Sequence, residues 1–361
     1  MDWEFESSRK EQKRDRKVAQ RTDRSKYKKT DVAKRSEIEI PQHLPRGQVL
    51  RIRSQEADVL LEDGRELRAV TRGSLKVEAF LDKRLLAVGD WVRVHLEPSP
   101  GQAPLAVIEA VEPRSSVLQR AEHFQRRKRQ LVAANVERVA VIMSVGLPPL
   151  KPALIDRFLI AAEKGGLRPM VIFTKGDLLP AYPDQDRLLR ELQQIYEGLG
   201  VPVWIVSTAT GEGLEQLSEY LRGSSTVFTG QSGVGKSSLI NSLTGLRLRT
   251  ADVVETTRKG SHTTTQAQLL PLPTGGSVVD TPGLRSFGVW ALESDEVQGY
   301  FPEIAKIALD CRFNDCRHDQ EPGCAVREAV ASGQISRLRF DSFQALRQGE
   351  GLRDLLDWLE S

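Results

Sequence analysis

Eight consecutive residues, Gly230-Gln231-Ser232-Gly233-Val234-Gly235-Lys236-Ser237, have the types and the spacing that hold a chain of phosphates. The glycines let successive backbone N–H groups close around a β-phosphate, and a helix starting here adds the positive end of its dipole. Lys236 can bridge the β- and γ-phosphates, Ser237 can ligate Mg²⁺, and Ser238 opens a helical stretch that runs to Leu243. About 50 residues on, Asp280-Thr281-Pro282-Gly283 follows a short apolar strand, Ser277 to Val279. In phosphate-loop enzymes an acidic residue here holds the Mg²⁺ shell, and the glycine N–H senses the γ-phosphate. Between the two lies a polar stretch, Gly260-Ser261-His262-Thr263-Thr264-Thr265. A threonine hydroxyl in it can join the Mg²⁺ while the triphosphate is present and loses that role afterwards, which makes a switch loop; Thr264 and Thr265 fit equally well.

The base reader lies upstream. Thr174-Lys175-Gly176-Asp177 follows a predicted strand ending at Phe173, and the Asp177 carboxylate can accept hydrogen bonds from N1–H and the N2 amino group of guanine. Adenine offers no such donors. The Lys175 stem can cover the ring, and Ser207-Thr208-Ala209, after the next strand, can offer backbone N–H groups to guanine O6. Alone, Thr-Lys-x-Asp describes an ordinary helix cap; its place one βα unit before Ser-Thr-Ala and upstream of a phosphate loop makes it a reader of GTP. Conventional GTPases place these base motifs last. Here they come first, the order expected of a circular permutation, in which the old termini are joined and the chain is cut elsewhere with every strand neighbour kept. The residue after Gly283 is Leu284, where many GTPases carry a glutamine that orients the attacking water. An aliphatic side chain cannot do this, so unaided turnover should be slow. His262, on the switch loop, is the nearest candidate to act on the water, or alternatively to cap its own loop.

A third cluster uses every cysteine in the chain. Cys311-x4-Cys316-x-His318-x5-Cys324 offers three thiolates and one imidazole, a closed tetrahedral set for one structural Zn²⁺ with no position left for water. Three cysteines within fourteen residues do not make a disulfide framework. The helical stretch Ala325 to Ser332 and the segment Arg339 to Phe343 are expected to pack around the metal, with Arg327, Arg337 and Arg339 available to phosphates.

Elements able to position these residues fall into four segments. Residues 1–45 form a basic arm expected to be disordered: from Arg9 to Arg35 thirteen Lys/Arg stand against four Asp/Glu, with few aliphatic residues. Such a run meets nucleic-acid phosphates by releasing their counterions. Residues 46–112 carry short β-rich stretches at Gln48 to Ile52, Asp58 to Leu61, Glu66 to Val70, Asp90 to His95 and Ala106 to Val111, with a turn at Glu62-Asp63-Gly64. This rhythm fits a small barrel, most economically an OB-fold that binds RNA. Residues 113–290 open with a second basic run, Arg126 to Arg129, read as a linker. Strands and helices then alternate: Val136 to Met143, Ile155 to Lys164, Pro169 to Phe173, Asp186 to Leu199, Val203 to Val206, Leu214 to Leu221 and Thr226 to Thr229. That is an α/β domain with a parallel sheet. Residues 291–361 contain the cysteine cluster and helical segments. With 361 residues, 39% hydrophobic and 28% charged, and no apolar run of membrane-spanning length or signal-peptide pattern, the chain is expected to be a cytoplasmic, monomeric protein of several domains.

The permuted order, the Gly-x-His-Thr-Thr-Thr switch, the preceding barrel and the Cys/His cluster together resemble the ribosome small-subunit-dependent GTPase family of bacteria, over roughly residues 46–345. The resemblance implies an OB-fold barrel, a permuted phosphate-loop domain and a helical zinc-binding domain. It also implies binding to the small ribosomal subunit and its rRNA late in assembly, subunit-stimulated hydrolysis of GTP to GDP, removal of another assembly factor, and a role for His262. Two positions depart from the family pattern: Thr174 stands where asparagine is usual and Thr208 where alanine is common. The first bears on guanine affinity, because an asparagine amide can bond guanine N7 and tie this loop to the phosphate loop. Two other classes compete. In one, the chain is an RNA-binding module that uses GTP only as a sensed ligand, a reading Leu284 favours. The other, an ATP-dependent kinase, is opposed by Asp177 and by the lack of a catalytic-base motif.

Overall fold

A computed structural model describes residues 40–53, 56–71, 86–97, 105–122, 125–246, 267–280 and 294–348. The arm before residue 40, the switch loop with His262, Thr264 and Thr265, and the segment Thr281-Pro282-Gly283-Leu284 lie outside the described residues. By compactness, residues 151–160 with 294–348 form one unit, and the remaining described residues form another.

Within the larger unit, five strands close a barrel: β1 (Arg46–Ile52), β2 (Glu56–Leu61), β3 (Glu66–Thr71), β4 (Trp91–Glu97) and β5 (Leu105–Val111). Their order, β1-β2-β3-β5-β4 with β4 returning to β1, and the parallel pairing of β3 with β5 are those of an OB-fold. Alternation decides which residues enter. Val92 and Val94 of β4 are fully buried with Val49, Val59, Ala69 and Ile108, while the residues between them face outward.

A two-stranded hairpin follows, β6 (Val117–Glu122) with β7 (Gln125–Ala134). This corrects the reading of Arg126 to Arg129 as a linker, since the basic run lies on β7. Strand pairing uses backbone groups and tolerates a charged surface, so the run's composition concealed it. Leu118, Ala133 and Ala134 are buried at the base of the hairpin, where Ala134 N–H donates to Val88 O at 2.8 Å.

The α/β part contains β8 (Arg138–Ser144), α1 (Pro152–Lys164), β9 (Arg168–Thr174), α2 (Pro183–Gly198), β10 (Val203–Ile205), α3 (Leu214–Leu221), β11 (Ser225–Gly230), α4 (Lys236–Thr244), β12 (Gln268–Pro271) and β13 (Ser277–Asp280). Strands run in the order β10-β9-β8-β11-β13-β12, all parallel except β12. Alternate residues Ala140, Ile142, Met170, Ile172 and Phe228 pack with Leu217, Leu221, Leu239, Ile240 and Leu243 of α3 and α4. Val139, Val141, Met143 and Val171, on the intervening positions, are buried as well, as both faces of a parallel sheet must be. Four-residue β12, which no sequence signal marked, joins this sheet to the barrel through the pair Arg51–Gln268. Arg51 Nη2 also donates to Gln268 Oε1 at 2.7 Å.

The smaller unit has α5 (Pro302–Ile307), α6 (Ala325–Ala331) and α7 (Arg337–Gln348). Arg339 was expected to face phosphates. Instead it is buried, paired with Asp156 and, at 2.7 Å, with Glu303, and its guanidinium lies 4.2 Å over the Phe301 ring. The helical period explains the difference: Arg339 shares a face with Phe340 and Phe343, also buried, whereas Arg337 is exposed beside Asp341. No helix among the described residues is long and apolar enough to cross a membrane.

Removing one partner of a buried ion pair leaves a desolvated charge. Arg339→Ala should therefore destabilise the smaller unit by about 3–5 kcal/mol, while Arg337→Ala, which breaks an exposed pair, should cost below about 1 kcal/mol. Thermal unfolding of the two variants checks this; equal midpoints would contradict it.

Candidate functional site

Every nucleotide-facing segment anticipated from the sequence and described in the structure leaves the carboxyl end of a parallel strand. Strand β11 ends on Gly230, whose φ is 154° and whose position is so close to β8 that a Cβ would come within 2.2 Å of Ile142 O. Only glycine fits there. The loop continues through exposed Ser232 and Gly233, anchors itself by burying Val234 in the core, and enters α4 through Gly235, Lys236, Ser237 and Ser238. The Lys236 ammonium curls back over the loop and donates to Gly230 O and Gln231 O at 2.8 and 3.0 Å.

Next to it, β9 ends on Thr174. Lys175 then adopts a left-handed conformation, φ 59°, which swings the chain into a 3₁₀ turn over Gly176–Ala181. Two side chains of this loop reach the phosphate loop. Thr174 Oγ1 lies 2.5 Å from Val234 O and 3.1 Å from Met143 O, and Lys175 Nζ donates to Gly233 O at 3.0 Å and Leu147 O at 2.6 Å. Partial burial pulls the Lys175 ammonium below its ordinary pKa.

Strand β10 delivers the third loop. Ser207, expected to use its backbone, donates its own N–H to Glu212 O at 3.0 Å, while its hydroxyl donates to Asp177 Oδ1 at 2.5 Å. The Ser207 hydroxyl oxygen itself accepts the amides of Ala209 and Thr210, both at 3.2 Å, so the carboxylate of one loop is held by the fold of the next. Thr208 is exposed on this loop. Asp280 closes β13, paired in register with Phe228 of β11.

Two contributors escaped the sequence reading. Gln185 of α2 holds Gly146, in the loop after β8, by both halves of its amide, at 2.7 and 3.3 Å. Gln298 Oε1 accepts from His318 Nε2–H at 3.1 Å. Neither belongs to a motif, and each meets its partner across tens of residues.

In the smaller unit, Cys311, Cys316, His318 and Cys324 bring their ligand atoms within 4.8 Å of one another. Cys311 Sγ lies 3.9 Å from Cys324 Sγ and 3.6 Å from His318 Nδ1, and Cys324 Sγ lies 3.3 Å from His318 Nδ1. Tetrahedral ligation at ordinary zinc bond lengths puts sulfurs about 3.8 Å apart and sulfur about 3.5 Å from nitrogen, so the donor set and its spacing fit a metal ion. His318 stands at φ 62°, with Nδ1 toward the sulfurs and Nε2 on Gln298, the outer contact that orients a ligating imidazole. Phe343 of α7 packs against its ring at 6.0 Å.

A parallel sheet on which a guanine motif precedes the phosphate loop, with a barrel before it and a Cys3His cluster after it, defines a circularly permuted GTPase. A family model for the RsgA GTPase matches residues 111–290. The chain is 42% identical over 291 residues to the small ribosomal subunit biogenesis GTPase RsgA of Gemmatimonas aurantiaca, covering 80% of this chain and 92% of that one. It is 36% identical to the protein of that name from Bacteroides fragilis, with 80% and 91% covered. Among solved structures it is similar to YjeQ from Thermotoga maritima, with TM-score 0.64, 34% identity and 84% and 98% of the two chains covered. It is also similar to YloQ, a circularly permuted GTPase, with TM-score 0.62, 26% identity and 88% and 99% covered. The chain belongs to the RsgA family of small ribosomal subunit biogenesis GTPases, and it is a GTP hydrolase.

The Cys3His cluster has a pH signature. Burial, outweighing a hydrogen bond from the His318 amide and joined by the Cys324 and Cys311 sulfurs, pushes the Cys316 thiol up to about 12, and burial raises Cys324 too. A raised thiol pKa favours the protonated, metal-free form below the ordinary thiol range, and that contribution is lost as pH climbs toward the raised value. Metal must displace these protons. Its affinity should therefore rise steeply from about pH 6 to about pH 8 with release of protons, measured by competition with a chromophoric chelator in weak buffer. Affinity independent of pH would remove the thiols from the ligand set.

Proposed function

We propose that this GTPase binds the maturing small ribosomal subunit and its rRNA in the GTP state and hydrolyses the nucleotide there. Loss of the γ-phosphate then loosens the switch loop and frees the protein together with other assembly factors. The observation that carries this reading is the 42% identity across 80% of the chain to a protein named for small-subunit biogenesis. Intact phosphate-loop and base motifs accompany it, whereas Leu284 replaces the water-orienting amide and leaves room for a partner to complete the site.

In this reading Asp177 accepts the guanine N1–H and N2 donors, Lys175 covers the ring, and the Thr208 backbone faces O6, the Ser207 N–H being engaged by Glu212 O. Gly230 to Ser238 enclose the phosphates, with Lys236 neutralising β- and γ-oxygens and Gly283 N–H sensing the γ-phosphate. Ser237, Thr264 or Thr265 and the shell around Asp280 would hold Mg²⁺, which when bound would supply neutralisation of phosphate charge. His262 positions or polarises the attacking water once the small subunit orders the switch loop. Zinc is the ion that suits Cys311, Cys316, His318 and Cys324; it has no open position and serves the fold. The barrel, the metal-bearing unit and the basic runs at Arg9 to Arg35 and Arg126 to Arg129 supply contacts to rRNA phosphates. The protein acts as a cytoplasmic monomer.

Phosphate release assayed with isolated small subunits, large subunits and assembled ribosomes should rise with the first. His262→Ala should lower the stimulated rate by about 10² to 10⁴ while leaving GTP affinity nearly unchanged, since base and phosphate contacts lie elsewhere. Full stimulated turnover in that variant would assign the water to rRNA or another side chain.

A further inference from the structure

The base loop carries threonine at its first position, and its geometry leaves that hydroxyl one task. Thr174 is 2% exposed, at the end of β9. A hydroxyl owns one hydrogen. Here the acceptors are carbonyl oxygens, which cannot donate in return, so the proton goes to Val234 O at 2.5 Å, with Met143 O the more distant alternative at 3.1 Å. Both acceptors belong to the scaffold: Met143 to β8 and Val234 to the phosphate loop. A Cβ on Gly235 would stand 3.6 Å from the same Thr174 oxygen, so the two loops are in contact at this point. Neighbouring donors are also engaged, Gly176 N–H with Val206 O and Leu178 N–H with Lys175 O, both at 3.0 Å. The hydroxyl is therefore spent on the phosphate loop, and the residue that carries it is buried.

We propose that Thr174 is a positioning residue that braces the phosphate loop through Val234 O, and that this chain reads guanine without a hydrogen bond from Thr174 to N7. The inference rests on the assignment of residues 174–177 as the base loop and deepens it. Recognition then falls on the Watson–Crick edge, through Asp177, whose carboxylate is fixed by the Ser207 hydroxyl. Phosphate affinity in turn depends on a bond made from the base loop, a buried one beside the contact of Lys175 Nζ with Gly233 O.

An atom exchange in the nucleotide tests this without altering the protein. In 7-deaza-GTP a C–H replaces N7 and every other group is kept. The full-length chain should bind it and GTP with dissociation constants within about twofold, whereas a neutral hydrogen bond to N7 is worth about three- to tenfold. Preference for GTP by that margin would overturn the absence of an N7 bond. Thr174→Asn, which restores an amide able to reach N7, should acquire the preference. Thr174→Val, of nearly equal size, should weaken GTP, GDP and 7-deaza-GTP alike, and Thr174→Ser should restore all three. Valine binding as tightly as wild type, or failure of serine to rescue, would overturn the brace. Asp177→Asn separates this proposal from the reading beneath it. If that variant gains xanthosine triphosphate while the wild type discriminates against 7-deaza-GTP, only the Thr174 inference fails. If it does not gain xanthosine triphosphate, the base-loop assignment fails and takes the inference with it.

Discussion

Close parallel pairing between β8 and β11 is the constraint on which the rest of this structure depends. At Gly230 the two strands approach so tightly that a Cβ would meet a backbone oxygen at 2.2 Å. Backbone cannot yield as a flexible side chain can, so the residue that opens the phosphate loop is also the one that permits the sheet to form. From this line the neighbouring strands take their register. Gly230 pairs with Ile142, Ser144 with Thr174, and Phe173 with Ile205, and the loops that follow emerge side by side. A one-residue slip would turn every buried side chain to the other face and separate the loops.

Placed together, the loops stabilise one another by bonds that none could make alone. Thr174 and Lys175 hold the carbonyls of Val234 and Gly233, Ser207 holds Asp177, and Gln185 holds Gly146. Buried polar groups must find partners, and here each partner lies on a different strand–loop unit. The base and phosphate loops are thus bonded directly to each other. Permutation leaves this arrangement untouched because none of these bonds depends on the order in which the chain visits the strands.

A different solution operates in the smaller unit, which has short helices and no strands among the described residues. Apolar burial by Phe301, Ile304 and Phe343 is supplemented by an ion triad, Asp156–Arg339–Glu303, and by the Cys3His cluster. Small units with limited core commonly need a metal, and this cluster has the donors to hold one. The barrel, in contrast, is joined to the nucleotide-binding sheet by backbone pairing at Arg51–Gln268. Gln268 is in turn paired with Asp280, so a single row of residues runs from the barrel to the end of β13.

Motifs whose chemistry is written in consecutive residues were legible from the chain alone: the phosphate loop, the guanine motif, the cysteine–histidine cluster, and the permuted order itself. So were the barrel strands and most of the α/β elements, because two-residue and helical periodicities are local. The hairpin carrying Arg126 to Arg129 was not, since charge suggested a linker while strand pairing is made by backbone. Arg339 read as a surface cation because its acidic partners lie 36 and 183 residues away. For the same reason Thr174 read only as a departure from asparagine, and Ser207 only as a backbone donor. Sequence by itself determined which chemical groups this protein possesses and the secondary structure that carries them. Tertiary structure alone decided which acceptor each hydroxyl, ammonium and guanidinium meets, because a hydrogen bond reaches about 3 Å in space whatever the separation along the chain.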